Sequence, residues 1–102
     1  MFGLIGKITA ESGRRAELAG YLHDGSRDMP GCRSYVVALD SEDPDVIWVT
    51  EVWEDAAAHK ASLQLPQVQK AIAKGRPLIA GFETVATTDP LPKALDVKGS
   101  SA

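Results

Sequence analysis

Eight consecutive residues near the middle of the chain, VIWVTEVW at 46–53, constrain its fold more than any other stretch. Read as a strand, they place Val46, Trp48 and Val52 on one face and Ile47, Val49 and Trp53 on the other. A strand that is apolar on both faces needs cover on both, because leaving either side to water forfeits the burial that stabilises it. At 102 residues the chain fits one domain and is too short for two independent cores.

The flanking segments supply cover for one side. Residues 2–10, FGLIGKITA, set Leu4, Gly6, Ile8 and Ala10 on one face and suit a strand. Ser12 and Gly13 interrupt it, with Ser12 the expected N-cap of the next element. From Arg14 to about Met29, the apolar residues Leu18, Ala19, Leu22 and Met29 recur at helical spacing, with Arg14, Arg15, Glu17, Asp24 and Arg27 largely outside that stripe. Pro30 disfavours helix at Met29, and Gly31 accommodates the turn. A second strand, CRSYVVALD at 32–40, reaches the central one through the polar hairpin loop SEDPD. Asp55 is the expected N-cap of a helix from Ala56, and Pro66 opens a further short helix that runs to Gly75. The segment PLIAGFETVATT at 77–88 is the fourth strand.

Strand, helix, strand, strand, helix, strand is the order of a split βαβ, the ferredoxin-like α+β fold. Its helices cover one face of a four-stranded antiparallel sheet. The other face carries apolar residues of the third strand with no helix to meet them, so a second copy of the chain is the simplest cover and a homodimer is expected. Trp48 is directed to that face. The domain is expected to span residues 1–88, and the proline-broken residues 89–102 to form a tail, loose or crossing to the partner subunit.

Charge and cysteine content narrow the function classes. The formal net charge is -3, with acids and bases scattered and no basic cluster to neutralise phosphates, which argues against nucleic acid as a partner. The single cysteine, Cys32, cannot form an internal disulfide and reads as a small buried hydrophobe. Without a basic stretch ahead of the apolar residues at the start, or a long apolar run, neither a signal peptide nor a membrane span is expected. A reducing cytoplasm is the expected compartment.

Two segments carry a family resemblance. MPGCRSYVVALDSEDPDVIWVTEVWED holds a Pro-Gly-Cys turn, a tyrosine-bearing strand, an Asp-Pro hairpin and a Glu-x-Trp strand end, and AAHKASLQLPQVQKAIAKGRPLIAGFE follows it. In that order they resemble the antibiotic biosynthesis monooxygenase family, dimeric α+β barrel proteins that include quinol monooxygenases. The resemblance implies a cofactor-independent oxidation of an anthrone- or quinol-like polyphenolic aromatic, with molecular oxygen as co-substrate and no metal, flavin or haem. For such a reaction the protein supplies a dry pocket, a base, and polar groups that hold the substrate oxygens. The family's pocket lies between sheet and helices. Some characterised members place an asparagine there, whereas this chain contains none, and the spacing of tryptophan and histidine in the haem-degrading branch is not reproduced after Trp53.

His59 is the candidate base, since an imidazole ordinarily titrates near neutrality and the first turn of a helix favours its neutral form. Glu51 is its candidate orienter; alternatively, Glu51 and His59 form a structural contact that fixes the corner between strand and helix. Trp53 either stacks on a flat substrate or fills core. Tyr35 presents its hydroxyl to a pocket or caps one. Leu22 and Ile72 serve as apolar lining or as ordinary core. Arg76 is a candidate for binding a substrate oxygen, or a surface ion pair. His23 sits beside the apolar stripe of its helix and suits a solvated position. Two functions therefore stand side by side, a monooxygenase and a non-enzymatic dimer that binds a small metabolite or serves a biosynthetic pathway as an accessory protein.

Overall fold

A computed structural model of the chain describes residues 1–91. Strand β1 spans Phe2–Ala10, helix α1 Arg15–Gly25, β2 Cys32–Leu39, β3 Val46–Trp53, α2 Ala56–Ser62, α3 Pro66–Gly75 and β4 Ile79–Thr88, with a 3-10 turn over Arg76–Leu78. The strands form one antiparallel sheet in the order β2-β3-β1-β4. This is the ferredoxin-like α+β arrangement expected from the order of elements. The expected tail falls, for residues 92–102, outside the described residues.

Register sets which side chains share a face. β1 pairs with β3 so that Phe2 lies opposite Trp53, Leu4 opposite Glu51, Gly6 opposite Val49 and Ile8 opposite Ile47. β2 adds Tyr35 opposite Glu51 and Val37 opposite Val49. These residues face the helices, and Ile8, Ala10, Leu18, Ile47, Val49 and Leu78 close into the core there, with Leu18 and Ile47 wholly buried. The opposite face carries Trp48, Thr50 and Val52 of β3 and Val36 of β2, the last 51% exposed. Among the described residues no helix covers it. Trp48 is anchored by a bond from Nε1 to Asp40 Oδ1 at 2.7 Å, which ties the strand to its own hairpin.

The first helix is shorter than its apolar period suggests. Ser12 is not its N-cap: Gly13, at φ 79°, shapes a turn closed by the Arg14 amide on the Glu11 carbonyl, and the helix begins after it with no side-chain cap. At the other end the Ser26 hydroxyl and amide both donate to the His23 carbonyl, at 2.7 and 3.3 Å, and Asp28 takes φ 52°. Serine competing for a helix carbonyl ends the helix there. Met29 is buried all the same, from a non-helical turn, so its place in the 3.6-residue pattern is coincidental. Arg15 faces inward, its guanidinium donating to the carbonyls of Asp40, Asp43 and Val46, and so fastens the helix start to the hairpin. Cys32 is half-buried rather than buried, because β2 is an edge strand. Pro77, with no amide hydrogen for the ladder, stays in the 3-10 turn, so β4 starts at Ile79.

Candidate functional site

Between the sheet and the helices lies a cavity of about 430 Å³. Its floor is the helix-facing side of all four strands, with Leu4, Gly6 and Ile8 from β1, Tyr35 from β2, Val49, Glu51 and Trp53 from β3, and Phe82 and Thr84 from β4. Leu22 and Gly25 of α1, Ser26, Met29, His59 and Ser62 of α2, Leu63, and Val68, Ala71 and Ile72 of α3 form the rest of the wall. Nearly all of this surface is apolar. Of its ionisable groups, Glu51 and Tyr35 come from the stretch where β2 and β3 lie side by side, and His59 comes from α2.

The local sequence explains how His59 reaches this wall. Asp55 caps α2, its Oδ1 accepting from the Ala58 amide at 2.8 Å. Gly31, at φ 79°, lets the Met-Pro-Gly turn pass under α2, and a β-carbon there would stand 2.6 Å from the Ala58 β-carbon. The Gly31 carbonyl also accepts from the Glu54 amide at 2.9 Å, which joins the turn to the end of β3. With α2 held in this way, the His59 ring packs between Phe2 and Trp53, at 5.6 and 5.5 Å between centroids, edge-on to the indole. Because α2 has only seven residues, His59, its fourth, lies one turn from the Asp55 cap and also within the last turn.

Glu51 is 9% exposed and sits between Tyr35 and Leu4 in the sheet. The Trp53 indole Nε1 donates to its Oε1 at 2.9 Å. The His59 Nε2 stands 3.8 Å from the same oxygen, within reach of an ion pair but too far for a hydrogen bond. Burial pushes the Glu51 carboxyl above the ordinary carboxylate range, and the indole N–H and His59 offset only part of that rise. Burial likewise holds the Tyr35 phenol well above its usual value, with the Glu51 charge adding to the effect. Tyr35 is therefore a neutral hydroxyl throughout the physiological range, able to donate to a ligand oxygen.

Six of the seven residues singled out in the sequence, His59, Glu51, Trp53, Tyr35, Leu22 and Ile72, line this one cavity. Arg76 does not: it is exposed on the 3-10 turn, outside the wall. His23 is solvated, with its side chain 71% exposed. Gly6, Phe82, Thr84, Ser62 and Val68 also line the wall and were not singled out in the sequence. For Gly6 the alternation of β1 was the available signal, since it placed Leu4, Gly6 and Ile8 on one face. Among the described residues no group of three or more His, Cys, Asp or Glu side chains converges as metal ligands would, and no helix is long and apolar enough to cross a membrane.

Comparison with known proteins agrees with this fold. Residues 1–74 match the family model described as antibiotic biosynthesis monooxygenase. A crystal structure from Chloroflexus aurantiacus, named for that family, is similar to this chain at 55% identity and a TM-score of 0.86, over 89% of this chain and 93% of that one. One from Deinococcus radiodurans, named likewise, is similar at 25% identity and a TM-score of 0.75, over 95% and 98%. A Nitrosomonas europaea structure shares the fold at 11% identity and a TM-score of 0.80, over 90% and 100%. No curated protein matches the chain.

Proposed function

Since the chain belongs to the antibiotic biosynthesis monooxygenase family, we propose that its cavity is the reaction chamber of a cofactor-independent monooxygenase acting on an anthrone- or quinol-like aromatic. One observation carries this reading: an almost wholly apolar cavity holds a buried carboxyl, an imidazole and a neutral phenol, with Glu51 and Tyr35 register partners on adjacent strands. That is what an oxidation of an electron-rich ring by oxygen needs from a protein.

In the proposed reaction His59 takes a proton from the substrate, and the resulting anion passes one electron to molecular oxygen. The two radicals join through a new carbon–oxygen bond, and cleavage of the O–O bond with loss of water leaves a carbonyl. For an anthrone, the ring methylene and one oxygen molecule become a quinone carbonyl and one water. Tyr35 donates to a substrate oxygen and stabilises the charge that develops on it, while Glu51, 3.8 Å from the His59 Nε2, orients the base and favours the imidazolium that forms. Trp53, Leu22 and Ile72 keep the chamber dry, which strengthens those interactions. Arg76 has no part in it. A homodimer is part of the same proposal, formed through the open sheet face that carries Trp48 and Val36.

Oxygen uptake tests the reading. Protein treated with chelator and supplied with anthrone should consume oxygen faster than the spontaneous reaction, and His59→Ala should lower that excess by roughly 10²- to 10⁴-fold, the usual worth of a positioned base. If wild type binds such aromatics saturably yet never exceeds the spontaneous rate, the chain is instead a small-metabolite-binding protein.

A further inference from the structure

Gly6 is a glycine in the interior of a central strand, where the residue is entropically costly and leaves a gap in the sheet surface. Conformation does not demand it, since its backbone lies outside the left-handed region, unlike that of Gly13 and Gly31. Packing does not demand it either. A β-carbon built there would meet only the Phe82 ring at 3.9 Å and two backbone oxygens at 4.0 Å, which are ordinary contacts. Gly25 across the cavity is different: its β-carbon would stand 2.5 Å from that of Ala71, so α1 and α3 require glycine to pass. The irregular pairing between β1 and β4 next to Gly6 places its extra residue, Val85, on β4, so it makes no demand on Gly6. What the missing side chain does is open the cavity floor between Val49 and Thr84.

We propose that Gly6 determines ligand specificity: it is the platform on which the far ring of a fused aromatic lies flat, while the oxygen-bearing ring reaches the Glu51 and Tyr35 row. The geometry sets the ligand's length. Leu4 is the register partner of Glu51, so Gly6 lies one row away, about 6.7 Å along the strand, a span bridged by about two or three fused six-membered rings and their oxygen. A single-ring phenol anchored at Glu51 stops short of Gly6. A side chain at position 6 therefore excludes fused rings and spares single ones. This inference rests on reading the cavity as an aromatic-binding site, but not on turnover.

Ligand-observed NMR titrations of 2-naphthol, whose second ring extends away from its oxygen, and of phenol, under nitrogen so that no oxidation intervenes, test it. Wild type should bind 2-naphthol at least about tenfold more tightly than phenol, as burial of the second ring implies. Gly6→Val should remove most of that preference while phenol affinity stays within about twofold, and Gly6→Ala should lower it part of the way. Gly6→Ala adds only ordinary contacts and decides the matter should the valine variant fail to fold. A folded variant that keeps the wild-type preference, a wild type with no preference, or a lower thermal midpoint for ligand-free Gly6→Ala would each overturn the proposal. If the preference and its loss are seen but oxygen uptake is not, the specificity role stands and the monooxygenase reading falls. If Gly6→Val leaves uptake on fused rings intact, the monooxygenase reading stands and the specificity role falls.

Discussion

The Trp53 indole Nε1 donates to Glu51 Oε1 at 2.9 Å, two residues back on the same strand face, while His59 Nε2 stands 3.8 Å from that oxygen. Alternating residues of one strand thus form a pair that holds the carboxyl in place before any ligand arrives. The imidazole stands beyond hydrogen-bond distance of that oxygen.

That pairing predicts a pH dependence of stability. Burial raises the Glu51 carboxyl in the folded chain, so the native state keeps its proton at pH values where the unfolded chain, at the ordinary 4.5, has lost it. The stabilising difference is complete below 4.5 and is lost as pH rises through the folded value. Glu51→Gln keeps an acceptor for the indole and has no proton to lose. Its thermal midpoint should therefore pull ahead of wild type as pH rises from 4 to 8, with the gap closing at the acid end; a gap independent of pH would contradict the assignment.

Asp40 works in the opposite direction. The Asp43 amide, the Trp48 indole and the Glu42 amide all donate to its carboxylate and hold it down at about 2. Its contribution is present above 3.8 and lost as pH falls through about 2. In a Trp53→Phe background, the remaining tryptophan emission should shift on acidification through that range, and Asp40→Ala should show the shifted emission already at neutral pH.

Trp53 is 1% exposed and serves both core and carboxyl. Trp53→Phe retains most of the ring contact but leaves a buried acid without its donor, a loss of about 1–3 kcal/mol. Trp53→Ala adds a cavity and should cost about 3–5 kcal/mol. Urea unfolding of both variants separates the two contributions, and a Trp53→Phe variant as stable as wild type would show that the hydrogen bond counts for nothing.

Leu18 is fully buried yet absent from the cavity wall. Leu18→Ala should cost about 2–5 kcal/mol in stability while leaving 2-naphthol affinity unchanged in the folded protein. A parallel loss of affinity would mean that the cavity is not mechanically separate from the core beneath it.

Gly31 combines a positive φ with a close approach to α2. Gly31→Ala should destabilise by more than about 1 kcal/mol, since the strained backbone and the Ala58 contact act together. Because the same turn seats α2, the variant should also perturb the His59 ring resonances in an NMR spectrum, whereas Leu18→Ala should not.

The order of elements was legible because each follows from a local rule. Alternation marks Phe2–Ala10 and Val46–Trp53, Asp55 and Pro66 announce α2 and α3, and apolar residues on both faces of β3 require a covered sheet. The shared face of Glu51 and Trp53 follows from the period of a strand alone. The end of α1 was not legible, because Met29 continues the helical period while a serine and a left-handed aspartate have already broken the backbone. Only the tertiary structure decided that Glu51 bonds to Trp53 rather than to His59, that Arg76 stands outside the site, and that Gly6 opens a floor. Each of these depends on how far side chains from separate elements reach once the sheet and helices have met. A linear pattern encodes which way a residue faces; the space left between facing residues exists only after packing.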